Sequence, residues 1–302
     1  MADNFNMWYY RKDRNLSHEC ERILEEAEKL GVSFTVVTPD DVDIVVTRTD
    51  RRSIRFQNEI VKLPPLVLPR TGSGTTYYTS SVLKHLENLG VPIVNTADAI
   101  DLCKDKLEST SVMARANIPV PRTMLVRFPI DLKLVQNYIN YPCVIKVLTG
   151  SYGKGVHLVK DEETLDELME FTNSLKSPNS IIIQEYIGFK PGTDIRVLVV
   201  GGKVLGAMKR TGRDGDFKAN ITRGGAGELF KLDDEGDFIA REVSRLLNLD
   251  IGGIDLLIDE NGYKVCEANS APGFQGFEAS TNINVAKEIV QYCILKAKQK
   301  LV

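Results

Sequence analysis

Two stretches in the last third of the chain restrict its fold more than any other feature. "DIRVLVVGGKVLGAMKR" (Asp194–Arg210) and "IGGIDLLIDENGYKVCEAN" (Ile251–Asn269) each hold two apolar runs joined by a short turn. The turns read Gly201-Gly202 and Asn261-Gly262, dipeptides that favour tight hairpins because they accept positive φ. Each stretch is therefore expected as an antiparallel strand pair. Between them, "DDEGDFIAREVSRLLNLD" carries a helical period, and "INVAKEIVQYCILKAKQKL" closes the chain as another helix.

The first part of the chain is patterned differently. "NLSHECERILEEAEKLG" places Cys20, Ile23, Leu24, Ala27 and Leu30 on one helical face and stops at Gly31. "VSFTVV", "PLVLPR" and "VPIVN" are expected strands, with "TTYYTSSVLKHLENLG" a second amphipathic helix. This alternation predicts a small parallel α/β domain over residues 1–95. A second unit is expected over 96–187, with the strands of "PCVIKVLTGSYGKGVHLV", the acidic-start helix "DEETLDELMEFTNSL" and the buried strand "SIIIQEYI". A third follows over 188–302. The class is α/β grading into α+β.

Composition removes several function classes. The 302 residues carry a net charge of -3 with no accumulated Lys/Arg run, which argues against nucleic-acid binding. No window approaches the roughly 20 apolar residues of a membrane span, and the opening "MADNFNMWYY" lacks the pattern of a signal peptide. Five scattered cysteines are expected as thiols in a reducing, cytoplasmic setting. Three histidines without ligand spacing argue against zinc.

Four features could carry chemistry. Glu267 and Asn269 are two apart in a strand and share a face. A three-residue loop, Glu260 to Gly262, would set Asp255 opposite Glu267, whereas a two-residue turn at Asn261-Gly262 would set it opposite Ala268. In the first register two carboxylates and an amide converge, an oxygen set suited to Mg2+; exposed strand-end polar residues are the other reading. "KVLTGSYGKGV" is neither a Walker A loop nor a dinucleotide fingerprint. Gly150, Gly153 and Gly155 would still let backbone N–H groups approach phosphate, and Lys146 in its apolar strand calls for an anion. A plain hairpin turn with a snorkelling lysine explains the same residues. Gln184 and Glu185 interrupt "IIIQEYI", either ending a strand or presenting its backbone to a flat ligand. Arg196, Lys209, Arg210, Arg213, Lys218 and Arg223 form a basic set; Arg196 and Arg210 should lie near one end of their hairpin, and guanidinium forks match phosphate oxyanions.

Taken in order, "PRTGSGTTYYTSSVLKHLENLGVPIVN", "KDKL", "CVIKVLTGSYGKGV", "IIIQEYI", "GTDIRVLVVGGKVLGAMKR", "GDFKANITRGG" and "GGIDLLIDENGYKVCEANSAPGFQGFE" resemble the ATP-grasp superfamily, and within it the RimK-like carboxylate–amine ligases. The resemblance covers about residue 65 to the C-terminus. It implies an ATP-grasp fold with a pre-ATP-grasp domain (1–95), a central subdomain carrying the glycine-rich loop (96–187) and a C-terminal subdomain carrying the metal site (188–302), the nucleotide lying between the last two. It implies that Lys106, Lys146, Gly150, Ser151, Gly153, Gly155 and Lys218 contact nucleotide phosphates. Glu185, Tyr186 and Ile187 would read adenine, and Asp194 the ribose. Asp255, Glu267 and Asn269 would hold two Mg2+, or Mn2+, and Arg210, Asn220 and Arg196 would face the transferred phosphate. Two segments depart from the usual pattern: Lys218-Ala219-Asn220 stands where Arg-Ser-Asn is common, and "NSAPGF" where Asn-Ala-Ser-Pro-Gly is common.

The activity so implied is ATP- and Mg2+-dependent amide formation through an acyl phosphate. It would join an amino acid, glutamate first among candidates, to a carboxylate acceptor on a small molecule or peptide C-terminus. Homo-oligomers are common in that family. A catalytically silent ATP-binding regulatory module is the alternative; it would be marked by a missing lysine or metal ligand, and none of the matching ones is missing.

Overall fold

The structure, a computed structural model, describes residues 5–48, 53–126, 130–148, 155–174, 181–213, 217 and 226–299. The N-terminal unit runs β1 (Asn6–Tyr10), α1 (His18–Lys29), β2 (Ser33–Val37), β3 (Val42–Ile44), β4 (Ile54–Phe56), β5 (Glu59–Ile60), β6 (Val67–Pro69) and α2 (Tyr77–Asn88). Its main sheet has the order β2-β1-β6, all parallel. The central strand β1 went unexpected because "NMWYY" has no two-residue alternation. Met7 and Tyr9 pack on one side and Trp8 and Tyr10 on the other, so both faces are covered, as in buried parallel strands. Helix α1 forms as its spacing predicts. Ser17 caps it by accepting from the Cys20 N–H, and Gly31 (φ +71°) takes the chain out in the left-handed region. The expected strand "VPIVN" is reduced to one parallel bridge, Ile93 to Val67.

Next come α3 (Ala97–Lys104), α4 (Lys106–Arg115), β7 (Thr123–Val126), α5 (Leu132–Gln136), β8 (Cys143–Val147), β9 (Val156–Val159), α6 (Glu162–Ser174) and β10 (Ile181–Glu185). The four strands form an antiparallel sheet of order β7-β10-β8-β9. Helices α3 and α4 do not join that sheet's core. Ala99 and Met113 pack instead with Ile195, Val197 and Ile254 farther along the chain.

The last part runs β11 (Thr193–Val200), β12 (Lys203–Thr211), β13 (Ala226–Phe230), α7 (Asp234–Leu246), β14 (Ile251–Asp259), β15 (Gly262–Asn269), α8 (Gln275–Thr281) and α9 (Val285–Gln299). Its antiparallel sheet has the order β13-β12-β11-β14-β15. Both expected hairpins are present. Gly201 and Gly202, at φ +58° and +76°, make the two-residue turn between Val200 and Lys203. One face of the sheet packs on α7 through Val197, Val199 and Leu256. The other packs on α9 and the N-terminal unit through Leu198, Val200 and Met208. Both faces are apolar at this end, which explains the uninterrupted "VLVV". Among the described residues no helix is long and apolar enough to cross a membrane.

Candidate active site

Alternation along β11, β12 and β14 carries the second face from apolar to charged. On β11, Leu198 and Val200 belong to the core shared with the N-terminal unit, while Arg196 and Asp194 continue the same face. Register then assembles the group: Asp194 lies opposite Arg210, and Arg196 opposite Asp255. Arg210 holds Asp194 with two hydrogen bonds of 2.6 Å, Nε to Oδ1 and Nη2 to Oδ2. Its Nη2 also lies 2.9 Å from Asp255 Oδ2. Arg196 donates to both oxygens of Asp255, through Nη2 at 2.7 Å and through Nε. Asp194, Arg210, Asp255 and Arg196 thus alternate in charge along one buried chain.

Charge balance is what makes that burial tolerable. Burial pushes the Asp194 carboxyl up to about 6, with Arg210 opposing it and Asp255 adding to it. Asp255 suffers the same burial, but the two guanidinium groups outweigh it and hold the carboxyl below its ordinary value. Arg210 is pushed further up: burial opposes its charge, but the attraction of Asp255 and Asp194 is greater.

Glu267 reaches this face by a route different from the expected loop. The turn is the two-residue Glu260-Asn261, with Asp259 opposite Gly262 at φ +117°. Left alone, that register would misplace Glu267. A bulge at Cys266 restores it: Leu256 pairs with Val265 and Asp255 with Glu267. Asn269, opposite Gly253, lies beside Glu267, its Nδ2 3.4 Å from Glu267 Oε1.

The donor set fits a hard cation that shares its shell with phosphate. Two carboxylates and one amide are an oxygen set, and Mg2+ ordinarily takes one or two carboxylates, waters and substrate phosphates. Among the described residues no cluster of three His, Cys, Asp or Glu could hold a metal unaided. Asp255 keeps acceptor capacity beyond its arginine bonds, since an ionised carboxylate offers about four lone-pair sites.

Two lysines approach from the side of the central sheet. Lys146, on β8 and 8 % exposed, lies 3.6 Å through Nζ from the Cys266 sulfur. Lys106, at the start of α4, donates to the Leu148 carbonyl at 3.2 Å. Burial pushes the Lys106 ammonium down, with Glu267 working to raise it and Lys146 lowering it further. Burial also pushes the Cys266 thiol up to about 11, with Lys146 opposing. Lys106, Lys146, Cys266 and Glu267 therefore share one electrostatic neighbourhood between the two sheets.

Glu185 ends β10 and ties the same two sheets together. It accepts from the Arg122 N–H at 3.0 Å and from Lys264 Nζ at 3.1 Å, the latter on β15. Gln184 donates to Thr123 Oγ1 at 2.8 Å, so this polar residue is satisfied within its own sheet. Ile187 is buried just beyond, and Tyr186 packs beside Gly188. Gly155 (φ +69°) closes the loop end, its carbonyl accepting from the Val147 N–H at 3.1 Å. Gly150, Ser151, Gly153, Lys218 and Asn220 lie outside the described residues.

Sequence reasoning missed Lys264, which follows a strand like any surface lysine, and Asn95. The Asn95 amide, 1 % exposed, bonds the Ile251 and Ser270 carbonyls and the Ile251 N–H, each at 2.7 Å. It fixes the start of β14 to the residue after Asn269; nothing in "VPIVNTAD" announces that task.

Family models and relatives match most of the chain. The RimK-like ATP-grasp domain model matches residues 103–293, and the RimK PreATP-grasp domain model residues 11–100. A protein of Legionella pneumophila (strain Corby) named probable alpha-L-glutamate ligase is 38% identical over 282 residues, 92% of each chain. One of the same name from Marinomonas sp. (strain MWYL1) is 34% identical over 276 residues, 91% of each chain. Among solved structures, a RimK domain ATP-grasp protein from Sphaerobacter thermophilus DSM 20745 superposes with a TM-score of 0.75 at 20% identity, covering 95% of this chain and 99% of that one. The ATP-grasp ligase PsnB, in complex with a phosphomimetic variant of its minimal precursor, Mg and ADP, superposes at 0.75 with 18% identity, covering 96% and 98%.

Proposed function

Because the chain belongs to the RimK-like ATP-grasp family and is an ATP-dependent ligase that forms amide bonds, we propose that it adds an amino acid, L-glutamate foremost, to a carboxylate acceptor at the face of Asp255, Glu267 and Asn269. The observation that carries this reading is the bulge at Cys266, which sets Glu267 opposite Asp255 and within electrostatic reach of Lys106. The probable alpha-L-glutamate ligases among its relatives favour glutamate as the added residue. The nucleotide lies between the central and C-terminal sheets, with domains divided near residues 95 and 187.

Lys106 and Lys146 hold the phosphates, with Gly150, Ser151, Gly153, Gly155 and Lys218 as their further contacts. Glu185, Tyr186 and Ile187 receive adenine. Asp194 takes the ribose hydroxyls with the lone pairs that Arg210 leaves free. Asp255, Glu267 and Asn269 would hold Mg2+, two ions or Mn2+ in its place, and that metal supplies neutralisation of the phosphate charge. The acceptor carboxylate oxygen attacks the γ-phosphorus, the bond to the β-phosphate oxygen breaks, and ADP leaves. The amine nitrogen then attacks the acyl carbon, phosphate departs with the C–O bond, and the amine loses a proton. Both partners in the first step are anionic, so Arg210, Arg196 and Asn220 serve by offsetting repulsion and stabilising the charge that spreads in the transition state. The silent-module reading loses ground because Lys106, Lys146, Asp255, Glu267 and Asn269 are all retained. The five free cysteines favour a cytoplasmic setting.

The test is phosphate release from MgATP and L-glutamate across a panel of carboxylate acceptors, with products weighed by mass spectrometry. Phosphate matched by a mass gain of one glutamyl residue is expected. ATP binding without turnover on any acceptor would return weight to the silent module.

A further inference from the structure

Three of the five buried side-chain nitrogen and oxygen atoms without a hydrogen-bond partner among the described residues belong to two arginines, Arg11 (Nε and Nη1) and Arg70 (Nη1). Arg11 is only 8 % exposed. An orphaned N–H on a buried guanidinium is costly, and structures rarely leave one without a purpose.

The two residues occupy a particular place in the fold. Arg11 follows β1 and Arg70 follows β6, adjacent parallel strands in which Tyr10 pairs with Pro69 and the Arg70 N–H donates to the Tyr10 carbonyl at 2.8 Å. Both therefore sit at the carboxyl ends of neighbouring strands. The chain leaves β1 for α1, whose Cys20 and Ile23 pack on one face of the sheet, and leaves β6 for α2, whose Val82 and Leu83 pack on the opposite face. Where consecutive connections part to opposite faces, a crevice opens at the strand ends, and ligands of open α/β sheets bind there.

One N–H group of each guanidinium has a carboxylate or carbonyl partner; beyond these, the Tyr9 phenol lies near Arg70 and the Cys20 thiol near Arg11, both weak acceptors. Arg11 Nη2 contacts Asp13 Oδ1 at 3.4 Å, and Arg70 Nη2 donates to the Pro272 carbonyl at 2.5 Å. The Arg70 guanidinium also lies 5.8 Å from the centre of the Phe274 ring. Glu19 shares the corner: its Oε1 accepts from the Phe274 N–H at 3.3 Å. Burial works to raise its carboxyl, but its own N–H, Arg70 and Ser17 outweigh that. Both arginine charges act on the Tyr9 phenol, which burial nonetheless pushes up to about 12.

We propose that Arg11 and Arg70 form a carboxylate site that holds the non-reacting carboxylate of a substrate. The inference rests on the ligase reading and deepens it by naming the substrate class. Pro272 is three residues past Asn269, so the roof over Arg70 lies within about 10 Å of chain from the face where the phosphate transfers. That span suits a dicarboxylate of glutamate's size, with one end at each site. Two guanidinium groups with N–H groups left over match the planar, bidentate geometry of a carboxylate better than that of a neutral ligand. The carboxylate belongs either to the acceptor or to the incoming amino acid; the chemistry is the same.

The experiment is calorimetric titration of the full chain, with MgADP present, by glutarate, by L-glutamate and by butyrate as the monocarboxylate control. Trp8, the single tryptophan and three residues before Arg11, gives a fluorescence readout on the same samples. Glutarate or L-glutamate is expected to bind at least tenfold more tightly than butyrate. Arg11→Gln should weaken that binding at least tenfold, and Arg11→Lys should recover part of it. A loss confined to glutarate assigns the site to the acceptor; a loss confined to L-glutamate assigns it to the amino acid. Arg70→Gln should act like Arg11→Gln; because Arg70 also holds Pro272, Arg11→Gln decides if the Arg70 variant does not fold. Absence of any dicarboxylate preference, or affinities unchanged in folded Arg11→Gln, overturns the proposal. Titration with MgADP alone separates the two readings: intact nucleotide binding beside indifferent dicarboxylate binding overturns the carboxylate site only, and no nucleotide binding by the wild type overturns the ligase reading as well.

Discussion

Arg210 and Asp255 lie 2.9 Å apart although strand β11 runs between the strands that carry them. Their side chains meet above β11 because both leave the same face of the sheet, and Arg196 on β11 completes the bridge to Asp255. Replacing Arg210 removes the partner of Asp194 and half the neutralisation of Asp255. Arg210→Ala should therefore cost about 3–5 kcal/mol in urea unfolding, as breaking buried ion pairs does. The initial rate of phosphate release should fall by about 10²-fold or more. Arg210→Lys should recover part of the stability and little of the rate, since an ammonium cannot hold both carboxylates through a planar fork.

Gly253 carries a second prediction. A Cβ there would come within 2.6 Å of Pro272 Cβ and 3.4 Å of Arg196 Cδ. Gly253→Ala must push the segment after Asn269 away from the sheet, at about 1–3 kcal/mol for overpacking. The expected result is a folded protein with a raised KM for the carboxylate substrates, read from initial rates beside a thermal melt.

Asn95→Ala would strand two carbonyls and one N–H that are now bonded at 2.7 Å in a buried position. A loss of at least about 2 kcal/mol in urea unfolding is expected. Asn95→Asp keeps only the acceptor for the Ile251 N–H, and should fall between alanine and wild type.

Asp41 sets an acid limit on stability. Burial works to raise its carboxyl, but bonds from the Thr38 hydroxyl (2.8 Å) and N–H (2.9 Å), with Gln57 and Arg14, hold it below the ordinary 3.8. A depressed carboxyl contributes stability above its unfolded value and loses it as pH falls through the folded one. Urea midpoints should therefore drop below about pH 4, and Asp41→Asn, less stable at pH 7, should show a shallower drop.

How far the sequence disclosed all this varies by element. The two C-terminal hairpins were legible because Gly-Gly and Asn-Gly punctuate long apolar runs, and α1 because its apolar face and Gly31 agree. Strand β1 was hidden by its own burial, since a strand covered on both faces has no alternation to read. The meeting of Asp255 and Glu267 was anticipated, but through a longer turn than the one that forms. A bulge depends on which cross-strand neighbours pack best, and "VCEAN" does not mark it. The pairing of Asp194 with Arg210 also depends on a bulge, at Leu205: the Gly201-Gly202 turn alone would set Asp194 opposite Lys209. Asn95 was beyond reach, because its partners lie 156 and 175 residues away.

The most direct test of the account is Mn2+ binding, with the ion as a paramagnetic substitute for Mg2+, measured by electron paramagnetic resonance with and without ADP. Wild type should bind Mn2+ tightly only when ADP is present, at up to two ions per chain. Glu267→Ala should lose that binding by at least tenfold while remaining folded. Nucleotide-dependent Mn2+ binding that is unchanged in folded Glu267→Ala would contradict the assignment of the metal to the face of Asp255, Glu267 and Asn269.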